Sequence, residues 1–365
     1  MTLSYPGKQP TEALRAAIPP CTLRAEGATH APNWLIGGDN LAVLKHLVDE
    51  KGLAGTVDLV YLDPPFATQK RFSVSEGRSA TISARKQGQL AYADELTGGA
   101  FLEFLRARLI LLHELLSAQG SLYLHIDYKV GHYVKVILDE VFGADRFRND
   151  LTRIKCNPKN FRRRGYGNVK DLILFYSKGP RPIWQEPYEP YSEADLLRLF
   201  PRVDGQGRRY TTIPLHAPGE TQQGATRDAF RGILPPPGRH WRSPVAELEA
   251  LDAAGLIEWS SRGNPRRILY ADEQPGKRRQ DIWTFKDPQY PVYPTEKNAD
   301  LLDLIVATSS QPDSVVLDPF CGSGTTLLAA QRQGRRWIGI DASPTALGVA
   351  QQQLADIPFA LFQST

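Results

Sequence analysis

SVVLDPFCGSGTTLLAAQ, residues 314–331, runs from apolar residues through a glycine-rich turn into a helix-forming stretch. Gly322 and Gly324 allow the backbone to approach a ligand closely, and the first N–H groups of the following helix lack intrahelical partners. Near the start of the chain, TVDLVYLD (56–63) is a continuous apolar strand, typical of a sheet covered on both faces. Strands alternating with helices at both ends predict an α/β fold with a mostly parallel central sheet.

Two acids flank the glycine turn and distinguish between classes of nucleotide ligand. Asp318 precedes the turn, and Asp341 ends the next predicted strand, where an acid can accept hydrogen bonds from a ribose diol. Thr325 stands where a P-loop needs lysine, and Leu327 where a dinucleotide fingerprint needs its third glycine. Asp318 disfavours a pyrophosphate but suits an α-amino group. The pattern therefore favours S-adenosylmethionine over the alternative of a purely structural turn.

The first half of the chain carries further signals for secondary structure. Residues 100–120 have the apolar period of one amphipathic helix, which we expect to stop at Gly120, and SLYLHI (121–126) predicts a buried strand. Residues 67–98 are polar without a sustained period and predict a long loop. From about residue 180 to 290 the regular alternation breaks up, which indicates an irregular region attached to the sheet.

Composition and charge exclude several classes of protein. No apolar run approaches the length of a membrane span, and the N-terminus has no secretory-signal pattern. Cys21, Cys156 and Cys321 are too widely spaced for a disulfide framework or a zinc site, so we expect a cytoplasmic protein without a metal. Residues 151–290 contain 24 Lys and Arg but only 16 Asp and Glu, which indicates either contact with a polyanion or a solvated basic surface.

The apolar strand at 57–62 leads into a stiff corner, Asp63-Pro64-Pro65-Phe66. Proline fixes its own φ, lacks an N–H and restricts the residue before it, so the carbonyls of Asp63 and Pro64 are held as acceptors. A carboxylate and a fixed carbonyl form a two-point acceptor for an –NH2 group, and Phe66 offers a flat face for stacking. The corner is therefore shaped for a planar ring with an exocyclic amine. A merely structural capped strand is the alternative.

The corner and the glycine turn together resemble the motifs of DNA amino-methyltransferases, which modify adenine N6 or cytosine N4. DPPF (63–66) precedes LDPFCGSGTT (317–326), the order found in the β group of that family, and the central region is similar to type III modification subunits. LIGGDN (35–40) is similar to the segment whose acid, here Asp39, contacts the cofactor adenine. YPTEKNADLL (293–302) is similar to the family's PTxKP segment.

The resemblance implies a Rossmann-like S-adenosylmethionine-dependent methyltransferase fold with an irregular target-recognition region. The expected parts are an N-terminal arm (1–32), a catalytic half (33–150), a basic target-recognition region with connecting strands (151–290) and a cofactor-binding half (291–365). The expected cofactor-binding residues are Asp39, Thr295, Lys297, Asp318, Pro319, Phe320, Gly322, Gly324, Thr325 and Asp341.

Some features depart from the family pattern. Asn298 stands where the family usually has proline, and Asp341 where many members have the longer glutamate. The chain is also shorter than typical type III modification subunits, so a partner restriction subunit is not implied. Homodimerisation is expected only from the resemblance to the β group.

The mechanism expected from these motifs needs no covalent intermediate. Cytosine C5 methylation requires a nucleophilic cysteine, and none of the three cysteines is suitably placed. An exocyclic amine is a poor nucleophile because its lone pair is delocalised into the ring. Asp63 and the Pro64 carbonyl would accept both N–H bonds and direct the lone pair at the methyl group. The base would be flipped out of the duplex and stacked on Phe66, with Tyr92 a weaker candidate for its other face.

The partner expected for the basic region is double-stranded DNA. The candidate DNA-binding residues lie on KNFRRRGYG (159–167) and on later turns; they are Arg162, Arg163, Arg164, Arg239 and Arg266. The leading hypothesis is sequence-specific methylation of adenine N6, because an acid in DPPF is the more common adenine form. The alternatives are cytosine N4 methylation, methylation of RNA or of a protein amide, and a DNA-binding protein without activity.

Overall fold

The computed structural model of the 365-residue chain describes residues 2–27, 30–65, 71–75, 78–81, 89–93, 98–158, 162, 164–221, 224–261, 263–289 and 296–365. For 71–75, 78–81 and 89–93 the description covers the backbone alone. The chain divides into two compact units. The first consists of residues 1–186 and 280–365, and the second of residues 187–279.

The helices of the described ranges lie in both units. In chain order they are α1 (Thr11–Ala17), α2 (Asn40–Asp49), α3 (Gly98–Leu115), α4 (Gly131–Phe142), α5 (Glu193–Leu199), α6 (Val245–Ala253), α7 (Ala299–Ser309), α8 (Thr325–Arg332) and α9 (Pro344–Gln353), with 3-10 turns at Ala144–Arg146 and Ala271–Glu273. None of these helices combines the length and the hydropathy that crossing a bilayer requires.

The strands form one large sheet and several small ones. They are β1 (Leu23–Ala25), β2 (Trp34–Gly37), β3 (Val57–Leu62), β4 (Arg71–Ser75), β5 (Arg78–Thr81), β6 (Gln89–Ala93), β7 (Leu116–Ile126), β8 (Phe147–Ile154), β9 (Lys170–Ser177), β10 (Tyr188–Glu189), β11 (Arg202–Val203), β12 (Arg209–Pro214), β13 (His216–Pro218), β14 (Arg239–Trp241), β15 (Ile257–Trp259), β16 (Pro265–Tyr270), β17 (Lys277–Arg278), β18 (Ile282–Thr284), β19 (Val315–Asp318), β20 (Arg336–Asp341) and β21 (Ala360–Ser364).

The large sheet belongs to the first unit and has the order β1-β21-β2-β20-β19-β3-β7-β9-β8-β18. Its central strands, β2, β20, β19, β3 and β7, are parallel to their neighbours within this set. β9 runs antiparallel to both β7 and β8, and β1 antiparallel to β21. The expectation of an α/β fold with a mostly parallel sheet is confirmed.

Helices cover both faces of this sheet because its strands are apolar on both sides. Val60 and Leu62 pack with the buried side chains of α2, α3 and α4. Leu59 and Tyr61, which point to the opposite face, pack with those of α7, α8 and α9. A parallel sheet buried in this way leaves its carboxyl edge as the place where polar side chains can meet a ligand.

The second unit has its own small core. Its main sheet has the antiparallel order β11-β12-β16-β15, accompanied by the strand pairs β10-β17 and β13-β14. Phe230 and Trp241, with Leu215 and Leu248, form the apolar cluster beneath these strands. The segment predicted as 151–290 is thus divided, because β8, β9 and β18 are strands of the large sheet in the first unit.

Two expectations about the first half of the chain were wrong. The helix of residues 100–120 ends at Leu115, and β7 begins at Leu116 rather than at Ser121. Gly120 is needed for a close approach instead, since a Cβ there would lie 2.8 Å from the Val57 carbonyl oxygen. The expected loop of 67–98 contains three antiparallel strands in the order β5-β4-β6.

Substituting Gly120 by alanine should therefore lower the stability of the protein. The new Cβ would press on backbone atoms that cannot move aside, and we expect the free energy of unfolding to fall by about 1–3 kcal/mol. Gly348→Ala is the matched control, because a Cβ at this position in α9 meets no atom within 4 Å. Chemical denaturation of the two variants measures the difference, and equal effects would contradict the assigned role of Gly120.

Candidate active site

Three carboxylates lie at the carboxyl ends of three neighbouring strands of the large sheet. Asp63 follows β3, Asp318 ends β19 and Asp341 ends β20. Burial raises the pKa of Asp318 to about 7, and the charges of Asp63 and Asp341 act in the same direction. Burial likewise raises the pKa of Asp341. Such a concentration of like charge favours the binding of a cationic group.

Backbone N–H groups of the glycine turn hold two of these acids in place. Phe320 N donates to Asp318 Oδ1 over 3.0 Å, and Gly322 N donates to Asp341 Oδ2 over 2.9 Å. Gly324 has a φ of +88° and leads directly into α8. Because this left-handed conformation strains residues with a Cβ, glycine is required for the chain to turn at the carboxylates.

One carboxylate oxygen of Asp63 is paired, and the other has no hydrogen-bond donor among the described residues. Its Oδ2 lies 2.5 Å from Lys297 Nζ, and the two side chains are only 16% and 11% exposed. Its Oδ1 is buried, 3.9 Å from His125 Nδ1, and no described residue donates a hydrogen bond to it. Pro64 behind it is buried. A buried carboxylate oxygen without a donor is costly, so this atom is suited to accept an N–H group from a ligand.

Behind Asp63, a line of polar side chains crosses the sheet. Tyr61 Oη lies 2.9 Å from His125 Nδ1, and His125 Nε2 lies 3.3 Å from Asp171 Oδ2. Burial lowers the pKa of His125, although Asp171 acts against this, so the imidazole is neutral at pH 7. Burial raises the pKa of Tyr61 well above its usual value, so its hydroxyl remains protonated.

These protonation states fix the direction of each hydrogen bond. Burial alone would raise the pKa of Asp171, but hydrogen bonds from His125 and Lys155 hold it well below its usual range. An ionised Asp171 only accepts, so the single proton of His125 is on Nε2. Nδ1 then accepts from the Tyr61 hydroxyl and has no proton to donate to Asp63. The histidine thus leaves Asp63 Oδ1 open.

Two basic residues complete this line on strand β8 and just beyond it. Lys155 Nζ lies 2.5 Å from Asp171 Oδ1, and Arg153, 1% exposed, stands opposite Asp171 in the β8–β9 register. Arg153 also donates to Asp287 Oδ1 over 2.6 Å and to the Phe285 carbonyl over 2.8 Å. The charge of Asp171 is therefore matched by two cations, which keeps it ionised.

A second polar cluster connects α2 and α3 to the glycine turn. Asn40 donates to the Pro319 carbonyl over 2.6 Å and accepts from Arg108 Nε over 2.6 Å. Arg108 also lies 3.6 Å above the Phe104 ring, which packs against Phe320. These contacts fix Pro319 and Phe320 at the start of the turn.

Asp39, expected to contact the cofactor adenine, caps helix α2. Its Oδ1 accepts from Leu41 N over 3.1 Å and from Arg108 Nη2 over 3.0 Å, while 59% of its side chain is exposed. Its carboxylate is accordingly both anchored and accessible to a ligand.

The other expected site residues are distributed more widely. Phe66, Thr295 and Arg163 lie outside the described residues, as does the side chain of Tyr92. Arg162 and Arg164 are exposed in the first unit. In the second unit, Arg239 is exposed, and Arg266 donates to Thr212 Oγ1 over 2.8 Å.

Sequence reasoning missed the polar residues behind the carboxylates. His125 and Asp171 lie within apolar strands, where burial of a polar side chain requires a partner. That local conflict was the available signal, but the sequence does not say which partner satisfies it. Asn40, Arg108, Arg153 and Lys155 carry no distinguishing pattern at all. Within the described ranges, no cluster of His, Cys, Asp or Glu could hold a metal ion.

The family model for DNA methylases of the N6/N4 type matches residues 57–352. The chain belongs to this family. It is an S-adenosylmethionine-dependent DNA methyltransferase, and both the fold and the enzyme class expected from the sequence are confirmed. The matched range includes the DPPF corner and the whole second unit. It also includes Asp63, Asp318 and Asp341, which together form the carboxylate edge of the sheet.

Curated relatives of the methylase are found among restriction–modification enzymes. The type II methyltransferase M.EcaI of Enterobacter cloacae is 40% identical over 97% of the methylase and 78% of its own length. The Mod subunit of the type III enzyme StyLTI from Salmonella typhimurium is 29% identical over 80% of the methylase. The methylase spans about half of that subunit, 49% of its length.

A solved structure has a similar fold. The PvuII DNA methyltransferase, described as cytosine-N4-specific, matches the methylase with a TM-score of 0.50 and 14% identity. The match covers 89% of the methylase and 91% of the PvuII chain. At this identity the likeness concerns the fold alone.

The electrostatics of the carboxylate edge predict a pH-dependent effect of Asp318→Asn. The folded protein keeps the Asp318 proton up to about pH 7, whereas the unfolded chain loses it near 3.8. The free energy of unfolding therefore falls as pH rises between these values, and asparagine removes this loss. We expect the variant to gain roughly 2–4 kcal/mol relative to the wild type between pH 4 and pH 8. Urea denaturation at both pH values measures the gain, and an unchanged difference would rule out the raised pKa.

Proposed function

We propose that this methylase transfers a methyl group from S-adenosylmethionine to N6 of adenine in double-stranded DNA, at a specific sequence. The observation that carries the proposal is the buried Oδ1 of Asp63, which lacks a hydrogen-bond donor among the described residues. Asp63 follows β3, and the next two strands of the sheet, β19 and β20, end in Asp318 and Asp341. A buried acceptor next to a cation-selective edge suits an amine that meets a positively charged methyl donor.

The residues at the carboxylate edge fit this cofactor. S-adenosylmethionine supplies a methyl group on a sulfonium, together with an ammonium and a ribose diol. Asp318 would face the ammonium, whose charge favours the ionised carboxylate, and the lone pairs of Asp341 not used by the turn would accept from the ribose. Asp39 would contact the adenine of the cofactor, and the turn would border its methionine part. The residues of the turn proposed for this role are Pro319, Phe320, Gly322, Gly324 and Thr325.

Asp63 and the Pro64 carbonyl would activate the target nitrogen. Asp63 Oδ1 accepts one N–H of the amine and the fixed carbonyl accepts the other, which turns the lone pair out of conjugation with the ring. The carboxylate also stabilises the positive charge that develops on the nitrogen as it is methylated. Since the amine of a paired base is inside the duplex, the base must be flipped, and Phe66 would stack on it.

Adenine is preferred over cytosine because the corner carries an acid, which is the more common form among adenine enzymes. Cytosine N4 is the second candidate, since cytosine presents the same amine beside a ring nitrogen. Mass spectrometry of nucleosides from DNA incubated with the enzyme and labelled cofactor separates N6-methyladenine, N4-methylcytosine and unmodified DNA.

DNA contact is proposed for the arginines that were selected from the sequence. Arg162, Arg163 and Arg164 would contact phosphates in the first unit, while Arg239 and Arg266 would serve the second unit, which we propose as the region of target recognition. Cytoplasmic DNA would be the substrate. We also propose a homodimer, which sedimentation of the purified protein tests. A cognate nuclease is not required by any of these contacts.

Removing the Asp63 carboxylate should abolish transfer without abolishing cofactor binding. We expect Asp63→Ala to lower kcat by about 10²–10³-fold, because an acceptor aimed at the developing charge is lost. The Kd for S-adenosylmethionine should stay close to the wild-type value, as measured by calorimetry. Asp63→Asn keeps one acceptor and the volume of the side chain, and it should retain more activity. Parallel loss of binding and transfer would contradict this role.

Asp341→Ala should have the opposite pattern. The loss of acceptors for the ribose diol should raise the Kd for S-adenosylmethionine about tenfold. At saturating cofactor, kcat should be affected less than in Asp63→Ala. Thermal unfolding must accompany the titration, since Asp341 also accepts from Gly322 N and Ser343 N. An unchanged Kd in a folded variant would exclude the ribose contact.

A further inference from the structure

Lys297 lies against the catalytic corner although it comes from a distant part of the chain. Its Nζ is 2.5 Å from Asp63 Oδ2, and its side chain is only 11% exposed. The next residue, Asn298, is the N-cap of α7: its Oδ1 accepts from Leu301 N over 3.2 Å, and its Nδ2 donates to the Lys286 carbonyl over 3.1 Å. The backbone beside Lys297 is therefore anchored at two points.

The pair presents an acceptor and a donor side by side. Asp63 Oδ1 is a buried acceptor to which no described residue donates, and the ammonium on Oδ2 is a donor. An ammonium carries three N–H donors and no acceptor. The Watson–Crick edges of adenine and cytosine have the complementary order, an amine donor beside a ring nitrogen that accepts.

We propose that Lys297 is a base-recognition residue that donates a hydrogen bond to the ring nitrogen beside the target amine. This nitrogen is N1 in adenine and N3 in cytosine. The inference rests on the proposed function, because it requires a flipped base with its amine on Asp63. It assigns to Lys297 a contact with the substrate, whereas the family resemblance implied a contact with the cofactor.

The same pair would reject the bases that must not enter the site. Thymine presents a carbonyl oxygen and then an N–H, so its oxygen would face the Asp63 carboxylate and its N–H the ammonium. An acceptor would then be buried against an acceptor and a donor against a donor, which strongly disfavours the binding of thymine. A carboxylate alone would repel the carbonyl but could not distinguish a ring nitrogen that accepts from one that carries a proton. Lys297 would supply this second contact.

Two simpler roles of Lys297 make different predictions. If the lysine only neutralises Asp63, its removal changes stability and catalysis, and the effect is the same whether or not the substrate base has the ring nitrogen. If it binds the carboxylate of the cofactor, its removal raises the Kd for S-adenosylmethionine. Only base recognition predicts that the loss of activity on removing the lysine depends on the presence of the ring nitrogen.

The test is a double-mutant cycle between Lys297 and the target base. The recognition sequence is first mapped from the position of the methylated base. Duplexes that contain this sequence are then prepared with either adenine or 1-deazaadenine at the target position. With the wild type, loss of N1 should lower kcat/KM about 10- to 100-fold, the range for a hydrogen bond to a charged donor. With Lys297→Met, adenine should be methylated more slowly by a similar factor, and 1-deazaadenine should cause no further loss. A cytosine enzyme is tested with 3-deazacytosine in the same way.

Lys155→Met is the matched control. Lys155 forms an equally short pair, 2.5 Å from Asp171 Oδ1, behind the corner rather than in it. This variant should keep the full sensitivity to the ring nitrogen whatever its overall rate. Lys297→Arg keeps a charged donor and should retain part of the sensitivity. Thermal unfolding and the Kd for S-adenosylmethionine are measured for each variant to show that it is folded and binds the cofactor.

Three results would overturn the inference. Equal sensitivity to the deaza base in the wild type and in Lys297→Met would show that the lysine does not contact the ring nitrogen. A large rise in the Kd for S-adenosylmethionine with unchanged deaza sensitivity would assign the lysine to the cofactor. If the wild type methylates neither adenine nor cytosine in any duplex, the proposed function fails first and the inference fails with it.

Discussion

Burial of carboxylates at the ends of adjacent strands is the constraint on which the rest of the site depends. Asp63, Asp318 and Asp341 end the neighbouring strands β3, β19 and β20, and the pKa of Asp318 is raised to about 7 by burial and by the other two charges. A protein keeps such an arrangement only if cations complete it. One is Lys297, provided by the chain. A cofactor with a sulfonium and an ammonium would provide the others, whereas a pyrophosphate would add to the repulsion.

The open oxygen of Asp63 depends on charges at the far side of the same sheet. Lys155 and Arg153 keep Asp171 ionised, and the ionised Asp171 takes the proton of His125 on Nε2. His125 Nδ1 therefore accepts from Tyr61 and cannot donate to Asp63. If the proton were on Nδ1 instead, the imidazole could occupy the acceptor that the amine needs. In the proposed reaction, this line of polar side chains would therefore act through the position of a single proton.

The sequence was sufficient for those parts of the fold that local patterns encode. The apolar strands ending in Asp63, Asp318 and Asp341, and the glycine turn at 322–324, follow from residue types a few positions apart. The end of α3 was wrong because its last turns compete with pairing of Leu116 to Val57, a contact that the helical period does not contain. β8 was missed because FRNDLTRI is polar and is held in the sheet by β9 and by the buried pair of Arg153 and Asp171.

For the candidate site, the sequence likewise predicted what local patterns encode but not the contacts between distant segments. Motifs located the acids, but the partner of Asp63 comes from residue 297, and no local rule connects the two positions. Asn298 illustrates the difference between pattern and structure. It departs from the family proline, and in the structure it caps α7 and also binds the Lys286 carbonyl, which a proline side chain cannot do.

The pair of Asp63 and Lys297 is assembled from two distant segments, and in the proposed function this would separate recognition of the base from recognition of the DNA sequence. Asp63 follows β3 and Lys297 precedes α7, and the two side chains meet within the first unit although residues 187–279 lie between them in the chain. The second unit has an apolar cluster of its own, around Phe230 and Trp241. If the second unit contacts DNA as proposed, substitutions on its surface would change those contacts and leave the residues of its own apolar cluster in place. If the proposed roles of Asp63 and Lys297 hold, changes at these residues would affect which base is accepted, whatever sequence surrounds it.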